Sequence, residues 1–210
     1  YLEERKRRIR KTMMDKHIIA LTGGVGSGKS RILELLKQEY RAEIIQTDLV
    51  AKKLERPGKP GYDAIVKAFG KEIVNEDGEL KKEALAELIF RDKATRDKIN
   101  SLIHPFVWKS VQQWIKEQNS PILVVESAIL PENPGDIFHE IWYVYTLREN
   151  RIQRLMEHRG YSKQKCYQIM ESQPSDEEYR KSADYIIDDN GSIEQVLQQL
   201  RAIFRPHIQR

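Results

Sequence analysis

The chain lacks most of the features that would place it outside the ordinary globular class. It has one cysteine, Cys166, in 210 residues, so it can close no internal disulfide and build no multi-cysteine metal centre. Cys166 falls in a helical pattern and is read as a residue without special chemistry. No stretch approaches the ~18 uninterrupted apolar residues that a membrane span needs. The N-terminus is charged and has no apolar segment of the secretory kind. Neither an internal repeat nor a low-complexity tract occurs. Hydrophobic residues make up 40% and charged residues 32%, which suits a soluble protein with polar helix faces. A cytoplasmic location and no membrane partner are expected.

Charge of one sign is also scarce where it would matter. The net charge is +4, but the first 17 residues hold seven basic and three acidic side chains, and the rest of the chain carries 29 of each. The excess belongs to an arm ahead of a neutral domain that has no aromatic–basic pattern, so no nucleic-acid partner is expected. The chain opens with Tyr1, and Met13 and Met14 stand just before the first apolar run. Translation is therefore expected to begin near Met13, and residues 1–16 to be a disordered or non-native extension without function.

What is present is more telling. Gly23-Gly24-Val25-Gly26-Ser27-Gly28-Lys29-Ser30 fits G-x-x-x-x-G-K-[ST]. The apolar run His17 to Thr22 precedes it and reads as a buried strand. Arg31 to Lys37 follows and reads as an amphipathic helix. Strand, glycine loop and helix are the context in which this motif cradles phosphates, because inward-turned N–H groups and a helix N-terminus both favour an anion. Gly24, Val25, Gly26, Ser27, Gly28, Lys29, Ser30 and Arg31 are the candidate nucleoside-triphosphate ligands. Lys29 would reach the outer phosphates, and the Ser30 hydroxyl would ligate Mg²⁺.

Further strands are expected over Glu43 to Thr47, Pro121 to Glu126, Glu140 to Leu147 and Asp184 to Asp188, with helical patterns between them. That alternation implies an α/β fold with a five-stranded parallel sheet covered by helices on both faces. About 70 residues separate the second and third strands. They read as helices over Gly61 to Phe69, Lys81 to Phe90 and about Thr95 to Lys116, which is too much for one crossover. An inserted helical subdomain is expected over 51–117, with the core at 17–50, 118–147 and 183–205 in a single domain, 17–210. Proline at His104-Pro105 should break or start a helix, and a lone histidine such as His104 is most simply structural.

Arg148 to Arg159 reads as a helix ended by Gly160, Ser162 as a helix cap, and Pro174 as the start of another helix. Arg148, Arg151 and Arg154 recur every three residues. They fit a solvated face paired with Glu149 and Glu157, or a phosphate-binding lid over 148–182 that excludes water. Two carboxylates stand at strand ends, where ligands of open α/β sheets bind. Asp48 fits either a base that orients an acceptor hydroxyl or an N-cap of the following helix. Glu126 fits a Mg²⁺ ligand, directly or through water.

Together these segments resemble the dephospho-coenzyme A kinase family. The resemblance is carried by Ala20 to Ser30, Asp48-Leu49-Val50-Ala51, Pro57-Gly58-Lys59-Pro60-Gly61, Phe69-Gly70, Asp77-Gly78, Ile89-Phe90, Ile103-His104-Pro105, and Ala183 to Asp188 with Asn190-Gly191. It covers about residues 17 to 204. It implies a P-loop kinase fold and transfer of the ATP γ-phosphoryl group to the 3′-hydroxyl of dephospho-CoA, with Mg²⁺ as cofactor. It implies Asp48 as general base, Thr22 near the reacting groups, a substrate-binding set of Thr22, Asp48, His104 and Glu126, and a lid arginine at Arg159 or Arg154. A monomer or weak homo-oligomer is expected. The chain departs from the family pattern at Arg31 (usually Thr), at Gln46 (often Asp), at Glu126 to Leu130 (usually D-x-P-L-L) and at His158-Arg159-Gly160 (commonly R-D-G). A kinase for another small hydroxyl compound is the nearest rival. A GTP-dependent switch lacks its N-K-x-D segment, and Asp188 to Gly191 is read as a chance D-x-x-G.

Overall fold

Five short apolar runs lie side by side in one sheet. A computed structural model of the chain describes residues 16–208 except Asp92, so the basic arm, apart from Lys16, lies outside the described residues. The strands are β1 (His17–Thr22), β2 (Glu43–Gln46), β3 (Ile122–Glu126), β4 (Glu140–Tyr145) and β5 (Tyr185–Asp188), in the order β2-β3-β1-β4-β5. β1 pairs in parallel with β3 (Ile19 opposite Val124) and with β4 (Leu21 opposite Trp142), and β4 pairs in parallel with β5. Both faces are covered, which is why these strands read as continuous apolar runs rather than alternating ones. β2 and β4 stop earlier than the sequence suggests, because Thr47 already belongs to a helix and the chain turns away after Tyr145.

One face carries α1 (Lys29–Tyr40) and α9 (Ile193–Ile208). Ile32, Leu33, Leu35 and Leu36 of α1, with Val196, Leu200, Ile203 and Phe204 of α9, pack on Ile19, Leu21, Val124, Trp142, Val144 and Ile187. Each such side chain contributes ~1.5–3 kcal/mol when fully buried. Trp142 meets Phe204 edge to face at 5.2 Å, and its indole N–H donates to Glu140 Oε2 at 2.9 Å. Strand alternation sends Ile18, Ala20 and Tyr143 to the opposite face, where Tyr143 stacks on Tyr179 at 5.0 Å.

The chain divides into two compact units, one formed by the segment up to Ile44 together with Gln118 onward, the other by Ile45–Glu117. The second unit holds α2 (Thr47–Leu54), α3 (Pro60–Phe69), α4 (Lys82–Arg91) and α5 (Lys93–Glu117). α2, α3 and α4 each pack on α5. Ile99, Ile103, Val107, Val111 and Ile115 recur every four residues along α5 and form its buried stripe. Pro105 lies inside this helix, contrary to the expected break. Proline forfeits one backbone hydrogen bond and costs ~3 kcal/mol. The stripe continues on both sides of it, and the packing of Ile103 and Val107 offsets that cost. In α3, Pro60 takes the first helical position, where a missing N–H is harmless, and Tyr62 Oη donates to Gly78 O at 2.7 Å, tying the Asp77-Gly78 turn to the helix.

The first unit also holds α6 (Arg148–Arg159), α7 (Lys163–Glu171) and α8 (Asp176–Ser182). Gly160 ends α6 in the left-handed conformation, Ser162 accepts from Lys165 N–H to cap α7, and Ser175 with Glu178 forms a capping box on α8.

Candidate active site

The loop after β1 turns on glycines because side chains have no room there. Gly28 has φ +93° and stands at the N-cap of α1, where no side chain supplies a cap. The first N–H groups of α1 are thus left facing outward, as an anion site requires. A Cβ on Gly28 would run into the Asp189 carboxylate and lie 3.1 Å from Arg154 Nη1. Gly28→Ala is therefore expected to cost at least ~2 kcal/mol of stability through the left-handed strain and the displaced carboxylate. Denaturant midpoints would measure it, and a loss no larger than the ~0.5 kcal/mol of an ordinary surface change would show that this crowding is absent.

Lys29 folds back across the loop. Its Nζ donates to Gly23 O at 2.6 Å and to Gly24 O at 3.3 Å, and lies 3.5 Å from Glu126 Oε1 at the end of β3. Glu126 is 8% exposed, so this charge pair is largely shielded from water. Thr146 Oγ1 donates to Ser27 O at 2.8 Å and steadies the loop from below. Thr22, at the end of β1, is fully buried, and its hydroxyl has no hydrogen-bond partner among the described residues.

The arginine helix is bolted to the loop. Arg151 is buried, its Nε donates to Val25 O at 2.9 Å, and its guanidinium fills the space that a Cβ on Gly24 would need. The Val25 N–H donates to Gln173 Oε1 at 2.8 Å, so both backbone polar groups of Val25 are held by side chains from the 148–182 segment. Asp176 stands 3.6 Å from Arg151 Nη1 and accepts from Tyr143 Oη at 2.7 Å. Burial pushes the Tyr143 hydroxyl well above the usual phenol range, and the Asp176 hydrogen bond adds to the rise, so Tyr143 remains a donor. Arg154 Nη1 donates to Asp189 Oδ2 at 2.8 Å and Nη2 to Asp189 O at 2.8 Å, while Arg31 Nε donates to Asp189 Oδ1 at 2.8 Å.

Residues 17–195, which hold this loop, carboxylate and arginine helix, match a family model described as dephospho-CoA kinase. The chain belongs to the dephospho-CoA kinase family. A dephospho-CoA kinase of Carboxydothermus hydrogenoformans is 35% identical over 192 residues, which are 90% of this chain and 93% of that one. A crystal structure of a Thermus thermophilus protein superposes with a TM-score of 0.77 at 26% identity, over 91% of this chain and 97% of the other. A dephospho-CoA kinase from Campylobacter jejuni shares the fold at a TM-score of 0.55 and 21% identity, over 91% and 97% of the two chains.

Against this family background the structure places each residue singled out in the sequence. Thr22, Gly24 to Arg31, Glu126 and Arg159 belong to the first unit, Asp48 and His104 to the second. Asp48 lies exposed in the first turn of α2, and Gln46 is the N-cap. The capping role considered for Asp48 is thus excluded, because the helix starts one residue before it. His104 is half-buried on α5, and burial lowers its pKa, so the imidazole is neutral at pH 7. Arg159 ends α6 exposed, with no hydrogen bond or ion pair among the described residues.

The solvated arginine face paired with Glu149 and Glu157 does not form. Arg151 pairs with Asp176, Arg154 with Asp189, and Arg148 approaches Glu171 at 4.0 Å, while Glu157 accepts instead from Gln153. Arg151 shares its inward face with Ile152 and Leu155, which turns it toward the loop. Asp189 and Gln173 were not singled out in the sequence. Asp189 did carry a signal, because it directly follows β5 as Glu126 ends β3. Gln173 carried none.

Proposed function

We propose that this chain transfers the γ-phosphoryl group of ATP to the 3′-hydroxyl of dephospho-CoA, giving coenzyme A and ADP. The observation that carries the reading is the family match across residues 17–195 together with an uncapped, glycine-built loop at the head of α1. Backbone N–H groups of Gly26, Gly28, Lys29 and Ser30 hold the phosphates, since those of Val25 and Ser27 donate to Gln173 Oε1 and Gly24 O. Lys29 exchanges its carbonyl contacts at Gly23 and Gly24 for phosphate oxygens. Arg31 adds positive charge at the first turn of α1.

The donor set fits Mg²⁺. The described residues hold no cluster of three or more His, Cys, Asp or Glu that could bind a metal. Mg²⁺ that arrives with a nucleotide asks only for one or two protein oxygens and the phosphates. Ser30 Oγ and the Glu126 carboxylate, the latter directly or through water, would hold it. Bound there, it would neutralise charge on the phosphates. Asp48 accepts the proton of the acceptor hydroxyl, Thr22 and His104 contact the substrate, and Arg159 closes over the transferring group. The Ile45–Glu117 unit binds the coenzyme A portion, and the tip of 148–182 acts as the lid. No helix of the described residues is long and apolar enough to cross a membrane. A cytoplasmic location belongs to the same proposal and rests on the kinase reading.

Purified protein with ATP and Mg²⁺ is expected to add one phosphoryl group to dephospho-CoA at the 3′-oxygen, read by mass spectrometry of the product. Turnover of a nucleoside or sugar alcohol without turnover of dephospho-CoA would assign the chain to another small-molecule kinase activity.

A further inference from the structure

Asp189 is the most deeply buried carboxylate of the candidate site. Its side chain is 1% exposed, and it lies between two guanidinium groups. Arg31, one residue beyond Ser30, reaches Oδ1 through Nε at 2.8 Å and through Nη2. Arg154, from α6, reaches Oδ2 through Nη1 at 2.8 Å, and its Nη2 reaches the Asp189 carbonyl at 2.8 Å. The Asp189 backbone is itself fixed, because its N–H donates to Tyr145 O at 2.9 Å at the end of β4. The carboxylate also occupies the space beside Gly28 that a Cβ would need.

A negative charge pressed against a phosphate-binding loop is unfavourable for an anionic ligand on Coulomb's law alone. Two cations on one carboxylate leave the group net positive, and both guanidinium planes are held by charge-assisted bonds of fixed direction. Arg154 Nη1 comes within 3.5 Å of Gly26 O, so this anchored cation borders the loop. We propose that Asp189 is a positioning residue of the nucleotide site. It joins Arg31 at the head of α1 to Arg154 on α6, and so sets both cations beside the phosphate loop before ATP arrives. This rests on reading the loop as the ATP site of a kinase.

The sign of one measurement separates position from charge. Asp189→Asn removes a negative charge next to an anion site, so simple electrostatics gives tighter ATP binding. Loss of the anchor gives weaker binding, because both arginines must then be ordered by the ligand. ATP titrated with Mg²⁺ by calorimetry is expected to bind about tenfold more weakly to Asp189→Asn than to the parent protein. In an Arg154→Ala background, Asp189→Asn is expected to weaken binding by less than it does in the parent protein, since one of the two arms that it holds is gone and only Arg31 remains. Affinity that is unchanged or tighter in Asp189→Asn, or a loss that adds in full to that of Arg154→Ala, would overturn the proposal. Should Asp189→Asn fail to fold, Arg154→Lys carries the test. It keeps the charge but offers one nitrogen where the guanidinium uses two, one on the carboxylate and one on the carbonyl, and is expected to bind ATP several-fold more weakly with a parent-like melting temperature. Parent-like affinity in Arg154→Lys would equally overturn the proposal. Failure of the parent protein to phosphorylate dephospho-CoA would strike the activity, whereas these ATP affinities strike only the positioning role.

Discussion

Asp48→Asn is expected to lower turnover of dephospho-CoA by roughly 10²-fold or more while leaving ATP affinity and melting temperature near those of the parent protein. A ribose hydroxyl is a weak acid and must lose its proton as it is phosphorylated. A carboxylate in reach can orient the hydroxyl and take the proton late in the transfer. The substitution keeps the shape of the side chain and removes only its charge and basicity. Asp48 is exposed in the first turn of α2 and the cap position belongs to Gln46, so no capping bond is lost. Stability falls only by the modest value of a carboxylate near a helix N-terminus, ~0.3–1 kcal/mol. Single-turnover rates keep product release from hiding the effect. A rate within threefold of the parent would return Asp48 to an ordinary surface residue.

Lys29→Ala is expected to reduce turnover by about 10²–10³-fold, the usual cost of removing one preorganised electrostatic contact to a developing charge. The ammonium is held at the loop by Gly23 O at 2.6 Å and Gly24 O at 3.3 Å, so it is in place before a nucleotide binds. Its removal also leaves Glu126, 8% exposed, without the cation 3.5 Å away. A rate within threefold of the parent, measured where chemistry is limiting, would remove Lys29 from the catalytic set.

The strands and the phosphate loop were legible because each is a local pattern, and strand–helix alternation then implies a parallel sheet. A run such as Ile18-Ile19-Ala20-Leu21 followed by three glycines within six residues admits few folds. Gly160 and Ser162 marked their helix ends for the same reason, since a left-handed turn and an N-cap are one-residue chemistries. Pro105 was misread because its local cost is real but is outweighed by a stripe spread over 17 residues, from Ile99 to Ile115. Of the two readings open for the arginines of α6, the solvated face failed for a related reason. Their sequence neighbours Glu149 and Glu157 look like partners, and the residues that take Arg151 and Arg154 stand 25 and 35 positions away, at Asp176 and Asp189. Pairings over such separations are fixed by tertiary packing, which a spacing rule does not contain.

The junction between β2 and α2 has no slack. β2 ends at Gln46 and α2 begins at Thr47, without a connecting residue. Each residue of a helix turns the chain by ~100°. One residue gained or lost at this seam would swing Asp48 by about that angle and bring a different side chain to its place. An inserted residue is expected to be borne better in an exposed turn between two helices, such as that of Gly58 between α2 and α3, than at this seam. The seam thus acts as a ruler for the proposed base: a change of residue there is expected to cost less than a change of count.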